Sequence, residues 1–100
     1  MGLRTKLSEN GRELNMAIDG RFDFSLHADF RNAYRDLPQE TSYTIDLART
    51  TFMDSSAMGM LLLLREYAGD KEADIRLVNC SPEVRKVLSI SNLDKMFVME

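Results

Sequence analysis

Three consecutive side chains carry most of the chemistry this sequence offers: the carboxylate of Asp54 and the hydroxyls of Ser55 and Ser56. Ahead of them Tyr43, Ile45 and Leu47 alternate as in a strand, and after them comes the unbroken apolar run Met60 to Leu64. This pattern predicts a strand, a short turn and a helix opening at the acid and the serines. The first turn of a helix leaves several backbone N–H groups without intrahelical partners. The macrodipole adds partial positive charge there, which suits an anion. Two hydroxyls and a carboxylate thus sit where a phosphate could be received or added.

Helical geometry divides the segment into faces. At about 100° per residue, Ala57, Met60, Leu61, Leu64 and Ala68 form one stripe, while Ser55, Met58, Gly59, Leu62 and Glu66 lie opposite. If the first stripe packs on a sheet, Met58 and Leu62 stand exposed beside Ser55, forming a docking surface next to a modifiable hydroxyl. The run Leu61 to Leu64 also fits a helix buried all round. The pattern leaves both readings open.

Other chemistries lack their partners. A serine on a strand–helix turn resembles a nucleophile elbow, but the leading glycine of Gly-x-Ser-x-Gly is missing. The only histidine, His27, falls between the apolar positions of the first helix and reads as a solvated polar-face residue. A serine without a positioned base is a poor nucleophile. The Gly-x-x-x-x-Gly-Lys-[Ser/Thr] phosphate cradle is absent. Asp19, Asp23, Asp46 and Asp54 fall at strand ends and could hold Mg²⁺, as in a receiver domain phosphorylated on aspartate. The opening hairpin lacks the acidic pair such a domain places after a buried first strand, and loop and cap roles suit these aspartates better.

Local signals set the scaffold around the central segment. Residues 3–8 and 12–19 read as a hairpin across Asn10-Gly11. Leu14, Met16 and Ile18 give its second arm a buried face, and the weaker first arm belongs at an edge. Gly20 to Phe24 reads as a loop, and Ser25 as the cap of a helix carrying Leu26, Phe30, Ala33 and Leu37. Pro38 ends that helix. The central helix should close near Ala68-Gly69, with glycine in the left-handed position. Ile75, Leu77 and Val78 mark a further strand. Ser81-Pro82 starts a helix with Val84, Val87 and Leu88 inward, and Leu93, Met96, Phe97 and Val98 close the chain in a short strand or turn. This alternation of strands and helices predicts an α/β fold with a partly parallel sheet.

Composition narrows the partners. A formal charge of −3 and a pI near 5.1 argue against a nucleic-acid surface. The N-terminus lacks an apolar signal core, and no apolar run approaches the roughly 18 residues of a membrane span. Cys80 is the only cysteine, so no disulfide framework or metal cluster is expected. The expectation is one domain over 100 residues, cytoplasmic, without membrane or nucleic-acid partners.

Phe52-Met53-Asp54-Ser55-Ser56-Ala57-Met58-Gly59 resembles the signature of the STAS family, Asp-Ser-Ser-Gly-Leu-Gly at the start of the second main helix. Single-domain members of that family are bacterial anti-sigma factor antagonists. Gly20-Arg21-Phe22-Asp23 is similar to the family's Gly-x-[Leu/Phe]-Asp. The likeness covers most of the chain and is greatest to the HsbA-type subgroup, which acts in motility and biofilm switching. It implies a STAS fold: a mixed β-sheet of four to five strands opening with a β-hairpin, with helices packed on the sheet. It implies phosphorylation of the first serine of the pair, here Ser55, with Ser56 as the alternative. An anti-sigma factor would bind at Asp23, Asp54, Ser56, Met58, Gly59 and Leu62, and a serine kinase and a PP2C-type phosphatase would set the phosphorylation state. No catalysis by the chain and no cofactor are implied. Two features depart from the family: Ala57 replaces the usual glycine, and the sequence ends at Glu100 without the customary last helix. A constitutive interaction module whose serine is only a cap, or an aspartyl-phosphate receiver, are the alternatives.

Overall fold

Asn10-Gly11 turns the chain between two antiparallel strands, β1 (Leu3–Leu7) and β2 (Glu13–Ile18), with Gly11 at a positive φ of 72°. The computed structural model describes residues 2–100. β2 pairs in parallel with β4 (Ser42–Asp46), β4 with β6 (Ile75–Val78), and β6 with the short terminal β7 (Val98–Met99). The sheet order is β1-β2-β4-β6-β7, which leaves the weakly apolar first arm at an edge as its composition requires. Leu14, Met16, Ile18, Tyr43, Ile45, Leu47, Ile75 and Leu77 are buried on one face, whereas Asn15 and Arg76 on the other stay exposed. Period-two alternation is the cause: side chains of successive strand residues point to opposite faces.

Three helices cover the apolar face: α1 (His27–Tyr34), α2 (Ser55–Tyr67) and α3 (Pro82–Ile90). Gly69, at φ 111°, turns the chain out of α2. The Ser81 hydroxyl accepts a hydrogen bond from the Val84 N–H at 3.2 Å, with Pro82 at the first helical position. A single 3-10 turn (Leu93–Lys95) leads into β7, so the chain ends in both a turn and a strand.

One expectation about the strands is overturned. Gly20–Phe22, read as loop, is a strand, β3, and it pairs in parallel with a second unexpected strand, β5 (Thr50–Met53). The result is a two-stranded sheet separate from the main one. Gly20 starts it at φ 83°, its N–H bonded to the Arg49 carbonyl at 2.9 Å. The buried Thr50 hydroxyl donates to the Ile18 carbonyl at 2.9 Å, tying the ribbon to the end of β2. The chain therefore reaches α2 through this small sheet rather than directly from β4.

Candidate functional site

The small sheet sets the geometry at the head of α2. Phe22 and Met53 are paired in register, both buried, and the next residue on each strand is an aspartate that caps the helical turn after it. Asp54, in an extended conformation, accepts a hydrogen bond from the Ala57 N–H through Oδ1 at 3.1 Å. The cap thus belongs to Asp54, leaving Ser55 as the first helical residue. Ser55 is exposed and Ser56 half-buried, and neither hydroxyl has a hydrogen-bond partner among the described residues. An exposed first-turn hydroxyl with no internal partner is chemically available, because modifying it breaks no bond the fold uses.

Asp23 plays the matching part on β3. Its Oδ1 accepts from the Ser25 hydroxyl at 2.6 Å and the Ser25 N–H at 3.0 Å, while Oδ2 accepts from Arg21 Nε at 3.2 Å. The bonds from Ser25, with a further contribution from Arg21, hold this carboxyl below the usual carboxylate range. Ser25, expected to cap the first helix, is instead the residue being capped. Asp23 caps the start of a 3-10 turn (Phe24–Leu26) that runs into α1, and Leu26, before α1, makes no side-chain cap bond. Arg21 also lies over the Phe52 ring, 4.3 Å from its centroid.

Along α2 the predicted inner stripe is fully buried: Ala57, Met60, Leu61, Leu64 and Ala68. Of the two readings open for Met58 and Leu62, exposed for docking or buried all round, neither holds in full. Both are half-buried and pack against the core on the flank of the helix. The large exposed side chain is Leu63, at 52%, together with Phe24 at 65%. Phe24 stacks on His27 with ring centroids 4.9 Å apart, so His27 is half-buried against an aromatic ring rather than freely solvated. Phe24, His27, Ser56, Gly59, Leu62 and Leu63 line one shallow apolar groove between the start of α1 and the first turns of α2. Ser56 faces into it. Gly59 forms bare floor, for a Cβ built there meets nothing within 4 Å. Packing does not require glycine at that place, although glycine inside a helix costs about 1 kcal/mol relative to alanine.

The sequence had no signal for Phe24 or Leu63 as groove walls. Leu63 is hidden within a leucine run, and Phe24 precedes the helical pattern. Only the packing of two helices brings them together.

The four strand-end aspartates are held separately. Arg4 binds Asp19 through two hydrogen bonds of 3.1 Å, and Asp46 accepts from the Ala48 N–H and the Asn79 amide. Among the described residues no three His, Cys, Asp or Glu side chains gather so as to hold a metal ion. In the same residues no helix is long and apolar enough to cross a membrane.

Comparison with known proteins gives these features a context. The family described as "Mlab, STAS domain" matches residues 5–99. A STAS-domain containing protein of Pseudomonas aeruginosa (strain UCBPP-PA14) is 51% identical over 98 residues, spanning 97% of each chain. Among solved structures, the unphosphorylated form of the anti-sigma factor antagonist SpoIIAA superposes with a TM-score of 0.78 at 21% identity, covering 99% of this chain and 88% of that one. The phosphorylated form of SpoIIAA, a Bacillus cell fate determinant, gives 0.70 at 20% identity, covering 99% and 91%. At these identities the structural likeness carries the fold: three helices, a mixed five-stranded sheet and a small parallel pair.

Proposed function

The chain belongs to the STAS-domain family, and from that premise we propose that it is a non-enzymatic partner-switching protein of the anti-sigma factor antagonist type. Unphosphorylated, it binds an anti-sigma factor or a similar regulator through the head of α2, the groove beside it and the turn at Asp23, releasing the regulator's captive. A serine kinase transfers the γ-phosphoryl group of ATP to the Ser55 oxygen, releasing ADP and the hydroxyl proton. A PP2C-type phosphatase hydrolyses the ester back to the hydroxyl and inorganic phosphate. The observation that carries this reading is the Ser55 hydroxyl, exposed, without a hydrogen-bond partner among the described residues and at the first position of a helix capped by its neighbour Asp54.

Physical terms decide why modification would switch binding without unfolding the domain. A phosphoserine carries about −1.5 to −2 charge at pH 7, and the helix N-terminus accommodates negative charge within the fold. Docking a partner over that phosphate would strip its water, and Asp23 and Asp54 already make the surface negative. A penalty of about 1.4 kcal/mol is tenfold in affinity, so a few kcal/mol separates a complex.

Phosphosite mapping by mass spectrometry on the protein isolated from its own cells should find one phosphate, on Ser55. The regulator co-purified with Ser55→Ala should be lost with Ser55→Asp. Equal capture by both variants identifies a constitutive interaction module, and a hydroxylamine-labile label identifies an aspartyl phosphate; either result defeats the proposal.

A further inference from the structure

Among the described residues the small sheet carries a single cation, Arg21, which the fold holds only through Asp23 and the Phe52 ring. β3 and β5 together comprise Gly20–Phe22 and Thr50–Met53, and no other lysine or arginine lies in them. Phe22 and Met53 point inward, so Arg21, Asp23, Phe52 and Asp54 alternate outward and make a quartet across the ribbon. Arg21 is opposite Phe52 and covers its ring, and its Nε reaches forward to Asp23. The guanidinium therefore leans toward the strand ends, where the helices begin. Its side chain is 66% exposed, and its two contacts are both weak ones for a surface arginine.

The geometry points to Arg21 as the internal counter-ion of Ser55 once that residue is phosphorylated. This inference rests on Ser55 being the modified residue. Ser55 lies three residues beyond Phe52, at most about 11 Å along the backbone, and Arg21 is one strand spacing of about 4.8 Å away from Phe52. The arginine side chain and that of a phosphoserine, extended toward each other, span much of the distance. A phosphate doubles the charge that Asp23 offers and matches the planar guanidinium with two parallel hydrogen bonds. Asp23 already takes two hydrogen bonds from Ser25 and loses little when Arg21 leaves. The exchange would have two effects on the surface. The phosphate is held in one place at the rim of the groove, and Asp23 is left without its cation while the Phe52 ring is uncovered. The modification then rewrites charge and shape across the whole quartet, rather than at a single atom.

The test uses the full chain with phosphoserine installed at position 55 by genetic code expansion, and reads the phosphate by phosphorus NMR as pH is varied. A neighbouring guanidinium favours the dianion, so the second ionisation of the phosphate should rise by about half a unit or more in Arg21→Gln relative to the parent chain. Arg21→Lys should fall between them, because it keeps the charge and loses the fork. Identical midpoints in the parent and Arg21→Gln overturn the inference. If Arg21→Gln fails to fold, the Arg21 Nε–H resonance of the parent chain answers instead: it should shift downfield on phosphorylation, and an unmoved resonance overturns the inference equally. Neither measurement needs a kinase or a regulator. A phosphosite mapped elsewhere in cells would defeat the proposed function while the titration still reports on Arg21. A flat titration with Ser55 mapped would defeat this inference alone.

Discussion

Asp23 and Asp54 stand at equivalent places on two parallel strands, one residue beyond the paired positions Phe22 and Met53, and each accepts a hydrogen bond from a backbone N–H of the turn it opens. Two chain segments far apart in sequence thus end the same way, at the same level, with their helical turns starting side by side. The exposed serine at the head of α2 owes its position to this arrangement. Without the β3–β5 ribbon, α2 would begin wherever the loop after β4 happened to release it.

The Asp54 cap is open to a direct test. Asp54→Ala removes the acceptor for the Ala57 N–H and should cost about 1 kcal/mol of stability, whereas Asp54→Asn should cost little, since asparagine caps about equally well. Urea unfolding of the three proteins measures this. A loss as large in Asn as in Ala would show that the carboxylate charge, rather than the hydrogen bond, sets the position of the helix.

Gly59 should separate stability from binding. Its backbone is ordinary helix and a Cβ there meets open space. Gly59→Ala should therefore stabilise the fold by about 0.5–1 kcal/mol. The same methyl group raises the floor of the groove, so regulator capture should weaken by roughly tenfold, equivalent to about 1.4 kcal/mol. Calorimetric melting and a quantitative pull-down read the two effects. A variant both more stable and equally tight would place the docking surface elsewhere.

What was legible in the sequence follows how local each signal is. The inner stripe of α2, the Asn10-Gly11 hairpin and the Ser81-Pro82 helix start are all local: their signals lie within one turn or one strand of the structure they specify. The β3–β5 ribbon is different. Three residues of β3 carry no readable alternation, and the strand exists because Thr50–Met53 arrives beside it. The groove fails the same way, since Phe24 and Leu63 come from different elements. Met58 and Leu62 depart from the helical pattern for a related reason. They lie at the flank of the helix, where the neighbouring packing, not the helical angle, decides exposure. Elsewhere on α2 the Arg65 guanidinium bonds to the Met96 carbonyl at 3.2 Å, so the terminal turn closes against the helix through a contact equally non-local.

Tyr43 offers a test of buried polarity. It is 1% exposed, its hydroxyl has no hydrogen-bond partner among the described residues, and burial pushes its ionisation up to about 12. Its ring packs edge-on against Tyr34, with centroids 6.4 Å apart. Tyr43→Phe keeps that contact and removes an unsatisfied donor, so it should leave stability unchanged or raise it by up to about 1 kcal/mol. A loss of more than about 1 kcal/mol would reveal a buried water bonded to the hydroxyl. Denaturant midpoints of the two proteins decide it.

Acid sensitivity should trace to the aspartates at the strand ends. Asp19 is held below its ordinary value of 3.8, first by the hydrogen bond from Arg4 and then by the charges of Arg4 and Arg49. Asp23 is lowered by its bonds from Ser25 and by Arg21. A carboxyl whose folded value is depressed stabilises the fold fully above its unfolded value, and that contribution disappears as pH falls through the folded value. Stability should therefore be flat from neutrality to about pH 5 and decline below about pH 4, where the unfolded chain takes up protons first. Asp19→Asn should melt lower than the parent at neutral pH, because the ion pair with Arg4 is gone, and should lose less on acidification. Melting temperatures of the two chains across that range make the comparison. Parallel curves would mean that the exposed Arg4–Asp19 pair contributes nothing to holding β1 against the start of the small sheet, as screening allows for surface pairs. In that case the hydrogen bond from the Asp19 N–H to the Gly2 carbonyl, at 2.7 Å, would be the tie that remains.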